Sequence, residues 1–118
     1  MVSHVVLFRL RTDLGQADRR GFVEALETAL RDIPSVRGFR FGRRVTVGAA
    51  YEQAAPALDF IAVIDFDDAA GLQAYLTHPA HAALGARFNA SIDEGLVFDY
   101  DMQGQEGLRG LLRRPHTM

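Results

Sequence analysis

The amino-acid sequence predicts an α+β domain, a four-stranded antiparallel sheet with helices on one face. Three observations carry this. The apolar pattern switches between a period of two and a period near 3.6 in the order β-α-β-β-α-β. That order favours an antiparallel sheet with two crossover helices, the ferredoxin-like arrangement. The chain has 118 residues, 48% of them hydrophobic, which suits one domain with one buried core.

The first strand is read from residues 3–11, SHVVLFRLR, a β-branched and aromatic run. Alternation puts His4, Val6, Phe8 and Leu10 on one face and Val5 and Leu7 on the other. Asp13 reads as a turn or cap residue. From about Gly15 to Asp32, Phe22, Leu26, Leu30 and Ile33 fall at helical spacing, with Glu24, Glu27 and Arg31 between them. Pro34 ends this helix.

Residues 36–47, VRGFRFGRRVTV, form the second strand, with a kink or bulge at Gly38 or Gly42. Its cluster of Arg37, Arg40, Arg43 and Arg44 reads as a charged edge that resists aggregation. A loop carrying Tyr51 leads to the third strand, residues 58–67, LDFIAVIDFD. Asp67 or Asp68 caps a second helix that runs to about Leu76. Pro79 suits the first position of a new helix, so the sequence places a break at Thr77-His78 and a third helix from Pro79 to about Asn89. Residues 95–101, GLVFDYD, form the last strand. The expected domain is 1–102, with 103–118 a glycine-containing tail whose Leu108, Leu111 and Leu112 are suited to docking on the domain or across a dimer.

Strands one and three are apolar on both faces, yet helices cover only one. An uncovered apolar sheet face is avoided by soluble monomers, and two sheets packed across a two-fold axis remove it. The sequence therefore predicts a homodimer burying Ile61, Val63 and the matching faces of the other strands. Periodicity alone leaves open which face meets the helices.

Composition excludes several chemistries. Cysteine is absent, which removes disulfides, thiolate metal sites and cysteine nucleophiles. All 13 basic residues are arginine, so Schiff-base catalysis and a P-loop lysine are excluded. No serine sits in a G-x-S-x-G elbow. A net charge of −2 provides no basic field for nucleic acid. No apolar run reaches the ~18 residues of a membrane span, and nothing at the N-terminus reads as a secretory signal, so a cytoplasmic location is expected. No cofactor is called for.

Several segments together resemble the stress-responsive A/B barrel (Dabb) family. They are His4-Val5-Val6-Leu7-Phe8, Ile33-Pro34-Ser35-Val36, Tyr75-Leu76-Thr77-His78-Pro79-Ala80-His81 and Val97-Phe98-Asp99-Tyr100. The Y-x-x-H-P-x-H segment is the most specific, and the resemblance covers roughly residues 2–101. It implies a ferredoxin-like protomer forming a dimeric α/β barrel. One family member is a plant polyketide cyclase, and its acid–base histidine and tyrosine match His81 and Tyr75. A histidine at the start of strand one matches His4. A further pocket tyrosine of that enzyme corresponds to Leu26 here, so its particular reaction does not transfer.

The candidate catalytic residues are thus His81 as base and Tyr75 as hydrogen-bond donor, with His4 and His78 as candidate pocket-lining residues. If His78 is the N-cap, His81 lies in the first turn, where the helix dipole disfavours an imidazolium and lowers its pKa. His81 read structurally would instead hold the helix break. His78 equally reads as a cap, and His4 as a satisfied core histidine. A metal site from His4, His78 and His81 is disfavoured, because no carboxylate sits at an obvious ligand spacing. Asp65, Asp67, Asp68, Asp99 and Asp101 are assigned no chemistry. Two function classes stay open: acid–base chemistry on a small apolar or carbonyl-containing compound, and a non-catalytic stress-response or ligand-binding barrel.

Overall fold

The computed structural model describes residues 1–114. The elements are β1 (Val2–Leu10), α1 (Gln16–Asp32), β2 (Gly38–Arg43), β3 (Phe60–Phe66), α2 (Ala69–Leu76), α3 (Pro79–Ser91) and β4 (Ile92–Asp101). Short 3-10 turns follow β2 at Ala50–Glu52 and β4 at Gln105–Leu112. The sheet order is β2-β3-β1-β4, and every pairing is antiparallel. This is the ferredoxin-like α+β arrangement, with β1 in the interior between β3 and β4.

Alternation along β3 decides which face meets the helices. Ala62, Ile64 and Phe66 are buried, whereas Ile61, Val63 and Asp65 are only partly so. On β1, His4 and Phe8 share the covered face, in register with Ile64 and Phe60. Beneath α1, α2 and α3, Ala29, Ile33, Ile64, Phe66, Tyr75 and Leu84 form one core cluster. Phe8, Phe22 and Ala62 form another. The open face carries Val5 and Leu7 beside Ile61 and Val63, and Phe98 and Leu96 in register with Val5 and Leu7. The residues suited to a sheet-to-sheet interface therefore lie on the open side.

The end of β2 and the start of β4 differ from the sequence reading. β2 stops at Arg43 instead of running to Val47, because its partner β3 begins at Phe60 and the Arg44 N–H makes the last bond, to the Asp59 carbonyl. Glu52 then holds the next turn, accepting from the N–H groups of Val47 and Ala49 at 2.8 Å each. β4 begins at Ile92, directly after α3, and a register shift at Arg9/Leu10 absorbs the abrupt turn. Asp13 is a turn residue paired with Arg11; Gly15 is the α1 N-cap and makes no side-chain cap. The expected docking of the tail on its own domain is not found over residues 107–114: Leu108, Leu111 and Leu112 are exposed, since a 3-10 turn starting at Gln105 carries them away from the core. Residues 115–118 of the tail lie outside the described residues.

Candidate functional site

The site is built on the break between α2 and α3. Asp68 caps α2, accepting from the Gly71 N–H at 2.9 Å. Thr77 ends it, its hydroxyl donating to the Gln73 carbonyl at 3.0 Å. His78 then caps α3: its Nδ1 accepts from the Ala80 N–H at 3.0 Å, and Pro79 takes the first helical position. In one unbroken helix, residues six apart would lie about 240° around the axis, on different faces. The break instead turns the Tyr75 and His81 rings onto each other, edge to face, with centroids 4.8 Å apart.

His4 joins them from β1, its ring 5.7 Å from that of Tyr75. Its Nδ1 lies 2.6 Å from Oδ1 of Asp99, the residue opposite it on β4. A carboxylate can only accept, so the Nδ1–H donates and the ring orientation is fixed. Phe66 closes the back of Tyr75 at 5.2 Å.

His4, Tyr75 and His81 line a cavity of about 330 Å³ between the sheet and the helices, together with Val6, Leu26, Leu84, Phe88 and Asn89. The lining is mainly apolar with a few convergent polar groups, the usual composition of a small-molecule site. A second cavity of about 380 Å³ lies between α1 and β2, lined by Phe22, Phe39 and Phe41 and sharing Leu26 with the first; it holds no histidine or tyrosine.

The structure brings together three of the four residues singled out in the sequence. His78 is not among the cavity residues, because its ring is used by the α3 cap. Asp99, to which the sequence reading gave no chemistry, contacts His4. The only signal for it was its alternation with Val97 and Phe98, and that has meaning only once β4 is known to pair with β1.

Electrostatics separates the two central groups. Burial holds the Tyr75 phenol up at about 12, so it stays protonated. His81 is pushed below its ordinary 6.5, first by desolvation and then by nearby His4, while the Leu76 backbone acts weakly the other way. The direction matches the sequence expectation, but burial and not the helix dipole leads. A proton-resolved titration should therefore find His81 neutral at pH 7 and protonating only below pH 6.5. A midpoint above 6.5 would contradict the burial argument.

Comparison with known proteins places this geometry in context. Olivetolic acid cyclase from Cannabis sativa is 23% identical over 99 residues, covering 84% of this chain and 94% of that protein. Hydroxynitrile lyase from Passiflora edulis superposes with a TM-score of 0.74 at 17% identity, covering 88% of this chain and 94% of that one. A dimeric protein of ferredoxin-like fold from Bacteroides fragilis superposes with a TM-score of 0.62 at 26% identity, covering 86% and 95%. The family model for the stress responsive A/B barrel domain matches residues 2–102. The chain belongs to the stress responsive A/B barrel domain family.

Proposed function

We propose that this protein is a homodimeric small-molecule-binding barrel that performs acid–base chemistry on a carbonyl compound. The observation that carries this is the pair Tyr75 and His81, in ring contact on the wall of an apolar cavity, one kept protonated and the other neutral at pH 7. In this reading His81 removes a proton from the carbon next to the carbonyl. The Tyr75 O–H donates a hydrogen bond to the oxygen where negative charge gathers. Returning the proton closes the cycle. His4, held by Asp99, orients the far side of the Tyr75 ring. The relative named as a cyclase supports an enzymatic reading.

The test follows α-proton exchange of 4-phenyl-2-butanone in D₂O by NMR. Catalysed exchange is expected to fall on the acid side with an apparent pKa below 6.5, as His81 takes up its proton and ceases to be a base. With Tyr75 near 12, no alkaline loss is expected up to pH 10. Binding of the ketone without exchange would leave the non-catalytic barrel as the function.

The homodimer rests on the apolar open face and on the dimeric relative of the same fold. The domain in this reading is 1–102, and 103–118 is a tail. Because Leu108, Leu111 and Leu112 are exposed, truncation after Met102 should shift the melting temperature by no more than about 2–4 °C. A larger loss, or loss of the dimer, would show that the tail packs across the two-fold axis.

A further inference from the structure

Gly85 lies in the interior of α3, where glycine is unfavourable relative to alanine. Of the other helical glycines, Gly71 has a packing reason, since a Cβ there would meet Phe66 Cβ at 3.3 Å, whereas one on Gly21 would meet only the movable end of the Arg87 side chain. A Cβ on Gly85 would meet nothing within 4 Å, and its φ is not positive. Neither the fold nor the backbone requires glycine there. Gly85 does line the cavity that holds His81 and Tyr75.

His81, Gly85 and Asn89 follow one another at spacings of four, so they share one side of α3. Asn89 lines the cavity too, at its solvent-exposed rim, and its amide makes no side-chain hydrogen bond among the described residues. It offers both donors and an acceptor. His81 and Asn89 stand about 12 Å apart along the axis. We infer that Gly85 is the contact floor for a ligand lying along α3, with a carbonyl at His81 and a second hydrogen-bonding oxygen at Asn89. The substrate class is an elongated, mostly apolar carbonyl compound oxygenated at its far end. This rests on the cavity assignment under Proposed function.

The test uses the full chain and two fluorescent probes, 2-naphthaldehyde and 6-hydroxy-2-naphthaldehyde. The parent protein should bind both, the hydroxylated probe more tightly. Gly85→Ala should raise the melting temperature by about 4 °C while weakening both probes about tenfold. Gly85→Leu should stay folded by circular dichroism and bind neither. Asn89→Ala should abolish only the preference for the hydroxyl. A folded Gly85→Leu protein that binds like the parent overturns the inference, as does a lowered melting temperature for Gly85→Ala. A hydroxyl preference that survives Asn89→Ala overturns the role of Asn89. Failure of the parent to bind either probe overturns the cavity assignment and this inference with it. Binding without ketone exchange removes the acid–base reading and leaves this inference standing.

Discussion

Replacing His81 with alanine is expected to reduce ketone α-proton exchange by about 10²–10⁴-fold, the usual contribution of a positioned general base. Tyr75→Phe should reduce it by a similar order, because it removes the donor facing the developing oxyanion. The two variants differ in a useful way. Tyr75→Phe keeps the ring against Phe66, His4 and His81, so melting should change little. A catalytic loss without a stability loss would then belong to the hydroxyl. His81→Ala should also remove the acid limb that His81 imposes on the pH profile. If both variants exchange the ketone at the parent rate, the acid–base reading is wrong and the rings serve packing alone.

The second large effect concerns assembly. Leu7 and Val63 lie on the open sheet face, on the paired neighbouring strands β1 and β3. Placing an aspartate there, as Leu7→Asp or Val63→Asp, would bury an unpaired carboxylate between two sheets. Such a charge costs about 3–5 kcal/mol, so dimer affinity should fall by about two to four orders of magnitude. Sedimentation equilibrium reads the change directly, with circular dichroism as the check on folding. If the parent chain sediments as a stable, folded monomer, the open face needs another explanation.

Much of this was legible in the residues. The period switches gave the element order, and Pro79 gave the break that sets Tyr75 against His81. The Y-x-x-H-P-x-H segment pointed to the family. What escaped the sequence is long-range. Both faces of β1 and β3 are apolar, so only the packed helices decide that His4 and Phe8 lie inside and Leu7 outside. The His4–Asp99 contact joins residues 95 positions apart and depends on a strand pairing that no local pattern states. The end of β2 is likewise fixed by where β3 begins. Docking of the tail leucines on their own domain was misread because burial was inferred from composition, whereas the turn that carries them leads away from the core.

The place of β1 in the sheet has a consequence for synthesis. Within this domain it is made first, but both strands it pairs with come later in the chain. At ~5–20 residues per second, the separation between His4 and Asp99 corresponds to roughly 5–20 s of translation. For that time SHVVLFRL lacks β4, and until β3 is made it has neither neighbour, while α1 alone can shield only one of its sides. Slower decoding after β1 should increase aggregation of the newborn chain, whereas slower decoding after β4 should not.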